Sequence, residues 1–180
     1  MSNKRHIPNE KIRGTVESLD PLVRAVFARG ELSKLLTECD AEVSVSADAI
    51  AVRPLNLDIF GDSIPNDVGM CRLVVFGKNA CGSSERHPNS TQYIIALKGH
   101  GTVRVLRGKN WLTDKYGEDW GSELETRWHV VESGVWHQPF ASGHENWVVL
   151  AFHSAKIPVD EYMDERDVTI LPSGAGPAGN

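Results

Sequence analysis

Four side chains in this sequence carry donor atoms at a spacing that suits a metal ion: Glu85, His87, Gln92 and His137. Glu85 and His87 are two apart in Glu-Arg-His, so on a strand both project from one face. Gln92 opens the run Gln-Tyr-Ile-Ile-Ala-Leu-Lys-Gly, a second strand ending at Gly99. His137 comes much later, in Gly-Val-Trp-His-Gln-Pro. Two strands and one distant return can bring all four side chains to a single ion. Two imidazoles and a carboxylate form the ligand set of a facial triad, which leaves positions open for oxygen and substrate and suits non-haem Fe(II). Gln92 is a weak neutral fourth ligand, because an amide oxygen is a better hydrogen-bond acceptor than metal ligand. The same set accepts Mn, Ni or Zn, which would serve as Lewis acids in isomerisation, elimination or hydrolysis. Each residue also has a plainer use: Glu85 and His87 as surface groups on an edge strand, His137 as a buried, hydrogen-bonded histidine beside Trp136.

The elements around these residues are mostly short and extended. Cys71–Phe76, Gln92–Leu97, Thr102–Leu106, Arg127–Val131 and Trp147–His153 read as strands bounded by turn signals, a pattern that favours a sandwich or barrel. Lys98-Gly-His-Gly101 reads as a tight turn joining two of them in a hairpin. Residues 108–124 read as a long loop carrying Trp111, Tyr116 and Trp120, a lid or an oligomer contact. Residues 1–40 read as helical. Asp20-Pro21 is a start signal with Asp as N-cap, and Gly30 separates two short helices. Val43, Val45, Ile50 and Val52 suggest strands, and Pro54–Asp67 a loop. Val159–Val168 reads as a short helix or arm, and Ser173–Asn180 as disordered. The resulting division is a helical extension over 1–42, a β-barrel over 43–156 and an arm over 157–180.

The donor spacing resembles that of the cupin family. The family's first motif reads Gly, five residues, His-x-His, three or four residues, Glu, six residues, Gly. In the stretch from Asn79 to Gly99, Glu85 stands for the first His, His87 matches the second, Gln92 replaces Glu and Gly99 matches. The second motif reads Gly, five residues, Pro-x-Gly, two residues, His, three residues, Asn. Gly134 and His137 match it, while Thr126, Glu132 and Ala141 replace Gly, Pro and Asn. The resemblance covers residues 70–153 and implies an antiparallel jelly-roll barrel with Glu85, His87, Gln92 and His137 as metal ligands. Cupins include dioxygenases, isomerases, epimerases, lyases and proteins that only bind. Together with the ligand set, the resemblance points to a metal-dependent enzyme on a small organic molecule, and the facial-triad set of His87, His137 and Glu85, with Glu85 as the catalytic carboxylate, favours an Fe(II) dioxygenase. The alternatives are a redox-neutral isomerase or lyase, and a binding protein without catalysis. Cupins are commonly dimers, which implies a homodimer.

Composition excludes several other classes. The 180 residues fit one domain, with 41% hydrophobic and 24% charged residues. The formal charge of −5 and the lack of a basic stripe argue against nucleic acid. Met-Ser-Asn-Lys-Arg-His is too polar for a signal peptide, and no apolar run reaches a membrane span, so a cytoplasmic location is expected. The three cysteines, Cys39, Cys71 and Cys81, suggest neither a disulfide framework nor a zinc ribbon. Cys81 reads as a non-catalytic thiol. His100, His129, His144 and His153 are weaker site candidates than the four donors.

Overall fold

The computed structural model describes residues 7–47, 49–117 and 120–163, with the side chains of residues 114–116 outside the description. The chain begins with helix α1 (Glu10–Ala28), capped by the Asn9 side chain, which accepts from the Ile12 amide at 3.0 Å. Ile12, Val16, Leu19, Val23 and Val26 form its buried stripe at helical spacing. The helix runs through Pro21, contrary to the expected start there. The Asp20 carboxylate does not cap. It accepts from Arg24 and Arg127 and from the Trp128 indole, each at 2.8 Å, and these long-range bonds outweigh the local capping preference. The break at Gly30 is present, with φ at +69°. Helix α2 (Ser33–Val43) follows and includes Val43, which the sequence suggested for a strand.

Two five-stranded antiparallel sheets make up most of the remaining described residues, the jelly-roll core that the sequence implies. The strands are β1 (Ile50–Leu55), β2 (Met70–Phe76), β3 (Glu85–Arg86), β4 (Gln92–Lys98), β5 (His100–Arg107), β6 (Asn110–Gly117), β7 (Trp128–Val131), β8 (His137–Ala141), β9 (Trp147–His153) and β10 (Glu161–Tyr162). A 3-10 turn, Leu57–Phe60, lies in the expected loop after β1, and a one-turn helix, α3 (Leu124–Arg127), leads into β7. One sheet has the order β1-β2-β9-β4-β7 and the other β10-β3-β8-β5-β6.

This order corrects two expectations. Strands β4 and β5 are not a hairpin, because they belong to different sheets. The link at Gly99, with φ at +70°, is a corner between the layers, and a Cβ there would lie 2.3 Å from the Asn146 carbonyl oxygen. Residues 108–124 are not a long loop, because β6 pairs with β5 from Asn110 to Gly117. The aromatics expected as a lid are dispersed. Trp120 stacks on Phe27 of α1, and Trp111 lies under the Arg104 guanidinium. The Tyr116 side chain, the expected helix or arm beyond residue 163 and the expected disorder of 173–180 lie outside the described residues.

Alternation of side chains explains the two cores. On the first sheet, Ala51, Leu73, Val75, Tyr93, Ile95, Leu97, Val148, Leu150 and Phe152 face outward and pack with the stripe of α1 and with Cys39 of α2. The opposite face turns Ile94, Ala96, Val149, Ala151 and Trp147 toward Val103 and Val105 of the second sheet. Strands β4 and β9 are buried on both faces, so they read as continuous apolar runs.

Candidate metal centre

The inward-facing set contains the expected donors. Glu85 pairs with His137 across β3 and β8, which sets the two side chains next to one another. Glu85 Oε1 lies 3.6 Å from His137 Nε2 and 3.9 Å from His87 Nε2. The His87 and His137 rings are 5.2 Å apart. One donor atom from each of Glu85, His87 and His137 falls within 4.8 Å of the other two. Gly134, with φ at +75°, donates its amide to the His87 carbonyl at 3.0 Å and so ties the turn before β8 to the segment carrying His87. The two glycines of the cupin-like motifs, Gly99 and Gly134, are therefore backbone positions that a Cβ would strain.

The donor set fits a divalent cation. His87 Nε2 and His137 Nε2 are buried, and neither has a hydrogen-bond partner among the described residues. A buried nitrogen lone pair without a partner is costly unless something else fills the role. Burial lowers the His87 pKa, Glu85 and Asp160 oppose this, and the neighbouring His137 adds to it. A neutral imidazole is the form that ligates.

Gln92 also lines the cavity, with its Oε1 buried and without a partner among the described residues. Its Nε2 lies 3.5 Å from His153 Nε2. His153 is the nearest residue that the sequence reading set aside. It is fully buried, 4.7 Å from the His87 ring and edge-on to it. Burial, reinforced by His87 and Arg72, pushes its pKa down to about 3. Its place on β9, at the same parity as Val149 and Ala151, was the signal that put it inward.

The arm expected over 157–180 is present as far as it is described, but its contribution to the site was not foreseen. Asp160 comes within 2.9 Å of His87 Nδ1, close enough for charge but not aligned for a hydrogen bond. Its carboxylate is gripped by Arg72 through both oxygens, at 3.3 and 2.9 Å. Burial works to raise the Asp160 pKa, and the Arg72 bonds and charge outweigh it, so the net shift is down. Strand β10 holds the arm by pairing with β3, and Arg86 adds an ion pair to Glu161. Asn89 clasps the arm further back, through the Ile157 carbonyl and the Val159 amide. Tyr162 faces Glu85 across β10 and β3 and lines the cavity. Burial first, then Glu85 and Asp160, raise its pKa, so the phenol keeps its proton at neutral pH.

The remaining candidates do not join the centre. His100 is exposed beside Gly117. His144 lies in an exposed turn. His129 is buried on β7. Cys81 accepts from the Gln138 amide at 3.2 Å, and burial raises its pKa with Arg104 opposing, which suits an unreactive thiol.

The cavity has a volume of about 510 Å³ and lies between the two sheets. Among the described residues, no helix is long and apolar enough to cross a membrane.

No protein-family model matches the sequence. No curated protein matches it either. Solved structures do match by fold. An oxalate oxidase in complex with glycolate aligns with a TM-score of 0.53 at 17% identity, covering 66% of this chain and 57% of that one. A Bacillus subtilis oxalate decarboxylase, described for its Mn(II) centres, aligns at 0.53 and 17%, covering 71% of this chain and 31% of that one. Peruvianin-I, a cysteine peptidase from Thevetia peruviana latex, aligns at 0.50 and 10%, covering 63% and 66%. This chain therefore spans little more than half of the oxidase chain and about a third of the decarboxylase chain. At these identities the likeness concerns the fold, and the presence of a peptidase among the neighbours shows that the fold leaves the chemistry open.

Proposed function

We infer that this chain, a cupin by fold, is a metal-dependent enzyme acting on a small organic molecule. The observation that carries the reading is the convergence of Glu85, His87 and His137, with both imidazole Nε2 atoms buried and without a partner among the described residues. These three residues would hold a divalent ion, Fe(II) in preference, with Gln92 as a weak neutral fourth donor. Bound there, Fe(II) would supply oxygen activation, and Mn, Ni or Zn would supply Lewis acidity.

The protein's own groups have separable roles. Glu85 would balance the charge of the ion, and it is the residue proposed as catalytic. His87 and His137 would present neutral nitrogens. Asp160, 2.9 Å from His87 Nδ1, would act on the imidazole through its charge, favouring a proton on Nδ1 and so a free lone pair on Nε2. Oxalate, which figures in the names of two neighbours, suits the lining poorly, because most of the cavity wall is hydrocarbon.

A redox-neutral lyase or isomerase is the second reading. Tyr162 favours it, as a protonated phenol beside Glu85 at the cavity mouth can deliver a proton to a substrate oxygen. Turnover by the metal-loaded protein under strictly anaerobic conditions separates the two. Loss of turnover without oxygen is the expected result. Undiminished turnover would replace the oxygenase by the lyase. Failure of metal to bind under any loading condition would overturn both and leave a cupin that binds without catalysis.

A further inference from the structure

The cavity between the sheets is graded along its length. On β2, the inward residues run from Arg72 through Val74 to Phe76. On the neighbouring strand β9, Ala151, Val149 and Trp147 stand at the same three levels. Strand β1 sets Val52 opposite Val74 and Ile50 opposite Phe76. The second sheet repeats the gradient, because His137 of β8 pairs with Val105 and Pro139 pairs with Val103. Strands β2, β4 and β8 thus lead from a polar group, Arg72, Gln92 or His137, to hydrocarbon, while β1, β5 and β9 present hydrocarbon at each of these levels. At the strand rise, Arg72 to Phe76 spans about 13 Å.

The polar end offers little for a second charged group. Arg72 is the one cation in the described lining, and both oxygens of Asp160 already neutralise it. Beyond Arg72 the inward residues of β1, β2 and β9 carry no charge. A ligand with a charge at each end would leave one of them in an apolar shaft without a partner, which is strongly unfavourable. The cavity volume of about 510 Å³ is also in the range of sites for drug-sized molecules rather than for two-carbon acids.

We propose that the substrate is a single-headed amphipathic molecule. Its one oxygen-bearing head sits at Glu85, His87 and His137, and its aromatic or branched hydrocarbon body fills the shaft between Val74, Val149 and Trp147. The placement of the head rests on the metal-centre reading, and the placement of the body rests on the apolar lining alone. Val52, 47% exposed, and Tyr162, 61% exposed, form the rim through which the molecule enters.

The test uses 4-phenylbutyrate and malonate as probes, with metal content measured on the same samples. Titration calorimetry of the metal-loaded protein should show 4-phenylbutyrate binding at least about tenfold tighter than malonate, since burial of a phenyl group exceeds the free energy of one decade. Val149→Phe, which fills the shaft, should weaken 4-phenylbutyrate about tenfold while metal content stays unchanged. Val52→Phe, at the half-exposed rim, serves if Val149→Phe does not fold, and it should slow entry of the same probe. Malonate binding as tightly as 4-phenylbutyrate, or neither probe binding to protein that holds its metal, would overturn the proposal and leave the metal reading standing. Binding of 4-phenylbutyrate by protein that takes up no metal would retain the shaft and remove the assigned head site.

Discussion

The Gln92 amide nitrogen lies 3.5 Å from the His153 Nε2, and both side chains are buried, Gln92 lining the polar end of the cavity. With a pKa of about 3, His153 is neutral across the physiological range and can accept from the amide. The amide then turns Oε1 away from His153, and that oxygen is buried with no partner among the described residues. His153→Leu should therefore weaken metal binding by about tenfold through misorientation of Gln92. Gln92→Ala should weaken it by a similar factor. The double variant should be no worse than either single one, and full additivity of the two losses would break the coupling.

The imidazoles should matter more than the amide. His137→Ala removes one of the two nitrogens of the triad, and elemental analysis should find no bound metal. Gln92→Ala should retain most of it. Glu85→Gln should lose most activity even where some metal remains, because a neutral amide no longer balances the ion's charge. Equal metal content in wild type and His137→Ala would remove the assignment.

Asp160 should act through His87. Asp160→Ala removes the carboxylate behind the imidazole and frees Arg72. Metal affinity should fall by about 10- to 100-fold, as for other groups behind a metal-bound histidine. Circular dichroism should be unchanged, since β10 is short and lies at the edge of its sheet.

Asp20 should set the acid limit of stability. Burial works to raise its pKa, and the bonds from Trp128, Arg127 and Arg24 prevail, so the folded value lies below the ordinary 3.8. A carboxyl whose folded pKa is depressed stabilises the fold above its unfolded pKa, and the contribution is lost as pH falls through the folded value. Asp20→Ala leaves the Arg127 guanidinium and the Trp128 indole without their acceptor and should cost about 3 kcal/mol at pH 7. Denaturant melts should show that difference constant from pH 7 to about 5 and shrinking below about pH 4.

The homodimer is a further proposal, carried by β6. This strand is the edge of its sheet, with Leu112 52% exposed. An edge of this kind pairs readily with another copy. Sedimentation equilibrium should give about twice the chain mass of 19.8 kDa, and Leu112→Lys should shift the mass toward the monomer. A mass near that of the single chain at micromolar concentration would exclude the dimer.

Much of the barrel was legible because β-branched and aromatic runs such as Cys71–Phe76 and Trp147–His153 leave few alternatives. The donors Glu85, His87 and His137 were legible from their spacing, and the structure brings them together. What was not legible depended on distant partners. Asp20-Pro21 carries a local start signal, yet Arg127 and Trp128 draw the carboxylate into the core. The turn at Gly99 has hairpin chemistry, but which sheet each strand joins is decided by β9 and β8. Asn110–Gly117 lacks clear alternation and becomes a strand because β5 offers an edge. His153 and Asp160 carry no motif, and only register and the fold-back of the arm place them beside His87.

The pairing of β10 with β3 bears on how the protein is made. Chains emerge from the ribosome from the N-terminus onward, and upstream segments can begin to fold first. The triad residues and both sheets up to β9 are synthesised before Asp160 and Tyr162. A nascent chain that has just exposed β9 thus has the proposed ligands but neither the carboxylate behind His87 nor the phenol at the cavity mouth. Full metal affinity should therefore arrive only after the arm is released, which would disfavour tight loading of unfinished chains.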